Sequence, residues 1–314
     1  MDKKQAKILY TIKQNSNLTK LDIKNKTGFS MSTVLSSVKK LEEHDLITCG
    51  VRKAKGGKAP SVINSSLYAY VLGVGYSEGK LRGVRLDLNG NVEDIKEWET
   101  SETKENIDKI FAELEKSYPP VAVGVITENL DYEYEENKLS DTKRKAGTLT
   151  EGIACFYRFF SVKNNLDIAI LYIDNDITLM KSGETNSYYN INSLFSPIIN
   201  PTKGRLTYNE VLSKKQVETR LKNKFKLSLS GLQESQDSEV VAYRNRLNLT
   251  VNELVSLADK LLLTNVIIIG GYLPENAVKP SENAGARIFY AGDVKDAVGH
   301  CAAAMALESL FYYD

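Results

Sequence analysis

The sequence predicts an α/β protein of two domains, in which a small helical head precedes a larger body of strands and helices. The chain has 314 residues, which is enough for two domains. Residues 1–60 hold 13 basic and 5 acidic side chains, a net charge of +8, while the rest of the chain has a net charge of −7. Apolar residues follow a helical period in the head, and strand and helix periods alternate in the body.

Composition limits the cellular setting. No apolar run approaches the roughly 20 residues that a membrane helix needs, and the start MDKKQAKILY lacks the apolar stretch of a signal peptide. We therefore expect a cytoplasmic protein. Cys49, Cys155 and Cys301 are too far apart in sequence to suggest a disulfide framework or a metal knuckle, so we expect three buried thiols.

The first residues of the head predict two helices. Residues 5–14, QAKILYTIKQ, place their apolar side chains on one helical face. Thr19 and Asp22 have the spacing of a capping box before a short second helix, and Gly28 is suited to end that helix in the left-handed region.

A third helix follows, with Ser30 as its N-cap. Val34, Val38 and Leu41 form an inward apolar stripe. The residues that we expect to face outward are Ser32, Ser36, Lys39, Lys40 and Glu43. Three short helices with a tight turn between the second and the third are typical of a helix-turn-helix.

Two strands complete this head. ITCGV and SVINSS alternate as strands, and the loop RKAKGGKAP between them is a basic wing. A basic head of this form favours binding to double-stranded DNA, although a winged helix used for protein contact stays an alternative. The DNA contacts that we expect are Ser32, Thr33, Ser36, Lys39 and Lys40 on the third helix and Arg52, Lys53, Lys55 and Lys58 in the wing.

The body begins near Leu67, which divides the chain into domains at residues 1–66 and 67–314. Three strands with tight turns open the body, followed by a helix at residues 104–116 and the buried strands VAVGVI and DIAILYI. Thr250 and Glu253 have the capping-box spacing before the helix VNELVSLADKLLL. The strand NVIIIGGYL and a last helix at residues 294–311 end the series.

The order of these motifs resembles the ROK family of repressors, open reading frames and sugar kinases. The resemblance covers nearly the whole chain: the winged head ending in GGKAP, the run YVLGVGYSEGKLRGVRLDLNGNV, and NVIIIGGYLPE followed by AGDVKDAVGHCAAAMALES. It implies a two-lobed actin-like ATPase (ribonuclease H-like) fold for the body, a fold that periodicity alone does not select.

The sequence departs from the family's kinases at their phosphate-binding positions. Gly75 and the run YSEGK match the first turn, where the kinases carry an Asp and a Gly-rich loop. Asp174 and Asp176 stand where a second Gly-rich loop is expected, and acidic side chains there would repel a nucleotide. Glu151 matches the position of the catalytic base only loosely, and it also fits an ordinary acid in the first turn of a helix.

The family's zinc and sugar sites are degenerate as well. The stretch matched to the zinc loop has neither Cys nor His, so we expect no metal. Ser193 and Ser196 occupy the positions matched to the sugar-contacting Glu and the zinc-binding His. Asn137 and Glu151 are the two remnants of a sugar-like effector site, and either could equally be a surface residue.

These observations lead to the hypothesis of a DNA-binding transcriptional regulator, a repressor of carbohydrate-related genes, with a non-enzymatic body and no cofactor. The body would provide a homodimer or tetramer that recognises an inverted-repeat operator. A ROK sugar kinase with an accessory head, or an interaction protein without a metabolite ligand, are the alternatives.

Overall fold

The computed structural model describes residues 1–51, 61–117, 119–127, 143–164, 166–182, 187–273, 286–292 and 297–311. The expected wing contacts Arg52, Lys53, Lys55 and Lys58, and the expected effector residue Asn137, lie outside the described residues. The chain forms two compact units. Unit 1 comprises Met1–Gly152 and Val298–Asp314, and unit 2 comprises Ile153–Ala297.

The head has the predicted three helices and paired strands: α1 (Lys3–Gln14), α2 (Lys20–Thr27), α3 (Met31–Glu43), β1 (Ile47–Val51) and β2 (Ser61–Ser65). The Thr19 hydroxyl accepts a hydrogen bond from the Asp22 backbone N–H at 3.2 Å, and the Asp22 carboxylate accepts one from Thr19 N–H at 2.9 Å, which completes the capping box. Gly28 ends α2 at φ 74°, in the left-handed region that glycine adopts without strain.

The body alternates strands and helices along the chain. In chain order, its elements are β3 (Tyr70–Ser77), β4 (Lys80–Asp87), β5 (Val92–Glu99), α4 (Lys104–Leu114), β6 (Ala122–Ile126), β7 (Lys143–Gly147), α5 (Leu149–Asn164), β8 (Ile168–Ile173), β9 (Ile177–Ser182), β10 (Ser187–Asn190), β11 (Phe195–Asn200), β12 (Gly204–Thr207), α6 (Tyr208–Leu212), α7 (Lys214–Arg220), a π-helical turn (Leu221–Phe225), α8 (Leu229–Glu234), α9 (Ser238–Leu262), β13 (Val266–Gly271), β14 (Arg287–Gly292) and α10 (Val298–Phe311).

A five-stranded mixed sheet in the order β5-β4-β3-β6-β7 forms the centre of unit 1. β3 pairs antiparallel with β4 and parallel with β6. It therefore joins the antiparallel part of the sheet, β5-β4-β3, to the parallel part, β3-β6-β7. α4 buries Ile107, Ile110 and Phe111 against the sheet. α10 packs against the same sheet, and a Cβ added at Gly73 or Gly124 would overlap the backbone of that helix. These glycines therefore permit the close approach of α10.

Unit 2 contains a second five-stranded sheet in the order β10-β9-β8-β13-β14, together with the separate hairpin β11-β12. β8, β13 and β14 are parallel, and β9 and β10 extend the sheet in antiparallel fashion. α9 covers the sheet with buried residues that include Leu247, Val251 and Leu254. No helix in the described part of the chain is long and apolar enough to cross a membrane.

One predicted helix start is wrong. Thr250 does not cap a helix, because α9 already begins at Ser238 with Asp237 as its N-cap. The Thr250 hydroxyl instead donates a hydrogen bond to the Arg246 carbonyl at 3.0 Å, inside the helix. A T-x-x-E pattern inside a long helix satisfies its hydroxyl in this way, so the pattern alone does not mark a terminus.

The expectation of three buried thiols is correct only for Cys301. Cys49 is exposed on β1 and Cys155 is half-buried. Burial raises the pKa of the Cys301 thiol to about 12. The pKa of Cys49 is raised, chiefly by partial burial and to a smaller extent by a hydrogen bond with Glu42. The expectation failed at Cys49 because β1 has a single buried residue, Ile47, and exposes the rest.

Candidate nucleic-acid interface

α3 presents a defined outer surface because its opposite side is packed into the head. Val34, Val38 and Leu41 are buried, as the spacing predicts. Ser30 caps the helix, with its hydroxyl accepting a hydrogen bond from the Thr33 backbone N–H at 3.2 Å. The residues on the opposite side define what we call the outer face of α3: Ser32, Leu35, Ser36, Lys39 and Lys40, all of which are exposed.

Hydroxyl groups at the start of α3 bond to one another. Ser30 Oγ lies 2.9 Å from both Ser32 Oγ and Thr33 Oγ1. Ser36 Oγ donates to the Thr33 carbonyl at 3.1 Å. Of the hydroxyls expected to contact DNA, those of Ser32 and Ser36 are exposed and Thr33 is half-buried. While the Ser36 hydroxyl makes this bond, its oxygen can still accept a hydrogen bond from a ligand.

Two lysines lie one helical turn or more beyond these hydroxyls. Lys39 Nζ is 3.7 Å from Glu43 Oε1, but the Lys39 side chain is 78% exposed. An exposed i,i+4 ion pair contributes only about 0.3 to 0.5 kcal/mol, so it can be exchanged for a phosphate contact at little cost. Lys40 is exposed as well. Both residues therefore have the position and charge for backbone contacts.

Leu35 is a residue of the outer face that sequence analysis missed. Its side chain is 46% exposed, although it belongs to a helix with a well-filled apolar core. It lies one turn from both Ser32 and Lys39 by the i,i+3 and i,i+4 spacing of a helix. The sequence does contain a signal for this exposure. Leu35 does not share the helical face of Val34 and Val38, so the helical period places it outside the buried stripe.

β2, one of the two strands that flank the wing, is hydrogen-bonded to the segment between α1 and α2. Leu18 and Ile63 exchange backbone hydrogen bonds at 3.2 and 2.8 Å. The Asn64 side-chain carbonyl accepts a hydrogen bond from the Asn17 backbone N–H at 2.6 Å. β1 and β2 pair in register from Ile47 with Ser65 to Val51 with Ser61. The strands that carry the wing are therefore fixed relative to the helices.

The head also contacts the last helix of the chain, within unit 1. The Phe311 ring of α10 lies 6.0 Å from the Tyr10 ring of α1, in an edge-to-face arrangement. Lys13 Nζ lies 4.6 Å from the centre of the same Phe311 ring. An aromatic edge contact and a cation–π contact thus join the head to the helix that covers the sheet of unit 1.

The first residue matched to the kinase phosphate sites, Gly75, is closely packed. Gly75 is in β3, and a Cβ there would overlap the Val298 side chain and lie 2.8 Å from the Val298 backbone. β3 and β4 are joined by a tight turn in which Glu78 and Gly79 have φ of 52° and 80°. An acidic side chain at position 75 would therefore collide with α10.

The second matched position is a tight turn in unit 2. Asp176 accepts a hydrogen bond from the Asn192 amide at 2.8 Å, and the Asp174 carbonyl accepts one from the Lys214 backbone N–H at 3.0 Å. Asn175 Oδ1 accepts from the Lys215 backbone N–H at 3.3 Å. These three hydrogen bonds attach the turn to neighbouring segments of the same unit.

Glu151 takes part in the capping of α5. Its Oε2 accepts a hydrogen bond from the Thr148 backbone N–H at 2.8 Å, and Thr148 Oγ1 accepts one from Glu151 N–H at 3.3 Å. Its role in effector binding stays a prediction. Ser193 is exposed, whereas Ser196 is fully buried and accepts a hydrogen bond from the Ile198 backbone N–H at 3.2 Å.

The described residues contain no group of three or more His, Cys, Asp or Glu side chains placed to hold a metal ion. His300, on α10, has its pKa lowered by burial.

Known proteins resemble the chain in two ways. Residues 1–48 match the family model of winged helix-turn-helix DNA-binding domains. A crystal structure of a ROK family transcriptional regulator, a homolog of the E. coli MLC protein, matches 98% of this chain and 96% of its own, with a TM-score of 0.73 and 13% identity. The chain has the ROK fold. The expected winged head and actin-like body are thereby confirmed at the level of the fold.

Two other ROK structures match about three quarters of the chain. A ROK family protein from Streptococcus pneumoniae TIGR4, in complex with sucrose, covers 76% of this chain at a TM-score of 0.59 and 10% identity, over 98% of its own length. The ROK hexokinase from Thermus thermophilus covers 77% at a TM-score of 0.58 and 12% identity, over 99% of its length. No protein of curated function matches the chain in sequence.

Proposed function

We propose that this protein is a DNA-binding transcriptional regulator whose body has the ROK fold without catalytic activity. The single observation that carries the proposal is the outer face of α3. It combines exposed hydroxyl and lysine side chains on a capped, well-packed helix of a winged helix-turn-helix head. The head also concentrates a net charge of +8 in residues 1–60, which favours a polyanionic partner.

The body supports regulation rather than phosphoryl transfer. Gly75 leaves no room for the carboxylate that would anchor a metal-bound phosphate, because α10 closes on it. The turn at Asp174 and Asp176 adds negative charge at the other matched position, and the Asp176 carboxylate accepts a hydrogen bond from the Asn192 amide of the same unit. We infer that the body provides a dimer, that the dimer represses carbohydrate-related genes, and that a sugar-like effector acts through the body.

Binding to DNA is tested by selecting duplexes from a random pool with the full-length chain and measuring their affinity by fluorescence anisotropy at several salt concentrations. We expect a selected sequence to bind more tightly than random duplex, with an affinity that falls steeply as salt rises. Equal affinity for selected and random DNA would leave the head without a sequence-reading role.

The second candidate is a ROK sugar kinase with an accessory head, which the fold similarity to the ROK hexokinase from Thermus thermophilus favours. A coupled assay for ADP release, run with ATP, Mg²⁺ and a panel of hexoses and amino sugars, separates the two. We expect no release above a no-enzyme control. Sugar-dependent turnover would establish the kinase instead.

A further inference from the structure

We propose that Leu35 reads the C5-methyl group of thymine in the major groove, which makes it a specificity-determining residue of the head. This inference rests on the proposed DNA-binding function and specifies what the outer face of α3 recognises.

Leu35 occupies the place on α3 where a base contact is made. The N-terminal half of a recognition helix approaches base edges, and Leu35 is the fifth residue of the 13-residue helix. Its neighbours on the outer face, Ser32 and Ser36, are short, so they let the leucine approach a groove wall. Lys39, one turn further on, is long and charged and is suited to the phosphate backbone.

The polar groups beside Leu35 are partly used inside the head. Ser32 Oγ lies 2.9 Å from Ser30 Oγ, and the Ser36 hydroxyl donates to the Thr33 carbonyl at 3.1 Å. Leu35 is aliphatic and has no hydrogen bond to exchange, and 46% of its surface is open. In the major groove, thymine alone among the four standard bases presents an apolar group, its methyl. An exposed leucine therefore matches thymine.

The test uses the selected duplex and a series of duplexes in which each thymine in turn is replaced by deoxyuridine. This replacement removes the methyl group and keeps base pairing and the O4 acceptor. We expect one or two positions in each half-site to weaken binding about fourfold, which corresponds to roughly 0.8 kcal/mol for one buried methyl-sized group.

Two variants assign the effect to Leu35. Leu35→Ala should bind thymine and deoxyuridine duplexes with nearly equal affinity, whereas Leu35→Met, which keeps an apolar side chain, should retain the difference. Leu21→Ala is the matched control, because Leu21 is 55% exposed on α2, the helix that crosses the backbone. It should preserve the wild-type difference.

The outcomes separate this inference from the proposed function. If the wild-type chain binds its selected duplex but tolerates deoxyuridine at every position, the thymine contact is wrong while DNA binding stands. A deoxyuridine effect that persists in Leu35→Ala would also overturn the assignment. If no duplex is selected at all, the proposed function fails first.

Discussion

Gly75 and Gly50 both lie in strands of unit 1, but a methyl group added at each meets different surroundings. At Gly75 the new Cβ would lie 2.8 Å from the Val298 backbone, whereas at Gly50 the nearest atom, a methyl of Val62, is 3.9 Å away. Backbone cannot move aside as a flexible side chain can. Of these two glycines, we therefore expect an overpacking cost only at Gly75.

We predict that Gly75→Ala destabilises the protein by about 1 to 3 kcal/mol, the usual cost of forcing an extra carbon into a packed site. Gly50→Ala should change stability by less than about 0.5 kcal/mol. Thermal melting followed by circular dichroism measures both. Equal melting temperatures for the two variants would contradict the close approach of α10 to β3.

Single residues also show what could and could not be predicted from the sequence. Thr19, Gly28 and Ser30 were identified correctly as helix ends because caps act through neighbours within four residues. Thr250 was not, because the same pattern inside a helix bonds to the preceding turn. The closed surroundings of Gly75 had no local signal, since they arise from a helix more than 200 positions away along the chain.

At the scale of elements, the capping box of α2 makes a prediction with a defined pH dependence. Two hydrogen bonds from Thr19 hold the pKa of Asp22 below its ordinary value of 3.8. The bond from the Thr19 hydroxyl has the larger effect and the bond from the Thr19 backbone N–H the smaller. A carboxylate whose pKa is lowered on folding stabilises the fold above its unfolded pKa. That contribution is lost as the pH falls through the lower, folded value.

We therefore predict that Thr19→Ala raises the pKa of Asp22 toward its ordinary value and weakens α2 at pH 7, where removal of an N-cap costs about 1 kcal/mol. The carboxylate part of this effect should disappear in acid, once the pH is below the folded pKa and Asp22 is protonated. Hydrogen exchange of α2 amides and an NMR titration of Asp22 measure the two effects. Thr48→Ala, on the exposed side of β1, is the control.

The contact between α1 and α10 makes a second prediction at this scale. Phe311 is 6% exposed and contacts both Tyr10 and Lys13. Phe311→Ala should speed hydrogen exchange in α1 by more than about tenfold, because truncation removes the ring from both partners. Phe289→Ala, whose ring is 52% exposed in unit 2, should leave α1 unchanged. Unchanged α1 exchange in Phe311→Ala would mean that the head is held by its other contacts.

At the scale of the whole molecule, the charge distribution predicts how salt affects binding. Replacing Arg52, Lys53, Lys55 and Lys58 with Ala should weaken binding to the selected duplex and flatten its dependence on salt, by about 0.9 log unit of slope for each phosphate that is no longer neutralised. An equal reduction of charge in unit 2 is the control, made by replacing the exposed residues Lys203, Lys215, Lys222 and Lys260 with Ala. If both variants lower the slope equally, the wing has no special role.

The proposed dimer predicts the form of the DNA site. A two-fold dimer carries two heads, so we predict an inverted repeat whose half-sites lie about one helical turn, or a multiple of it, apart. Footprinting of the full-length protein on the selected duplex measures this spacing. Protection of one asymmetric half-site would contradict the dimer.

The types of the elements were largely predicted from the sequence, but the division of the chain into two units was not. Alternating strand and helix periods predicted an α/β body. The apolar runs and tight turns after Leu67 correctly predicted the meander of β3, β4 and β5. Periodicity carries no information about which sheet a distant helix covers. The assignment of Val298–Asp314 to unit 1 depends on tertiary packing through Gly73 and Gly124, which no short-range pattern reports.

That return of α10 to unit 1 has a consequence for the order in which the chain can fold during synthesis. Unit 2 is one continuous segment, Ile153–Ala297, and all of it is synthesised before α10. The sheet of unit 1 can bury the surface that α10 covers only after α10 itself has been made, although most of that sheet is synthesised early. We therefore expect a chain that ends before Val298 to leave the sheet surface under α10 uncovered, and to depend on chaperones more than the full-length chain does.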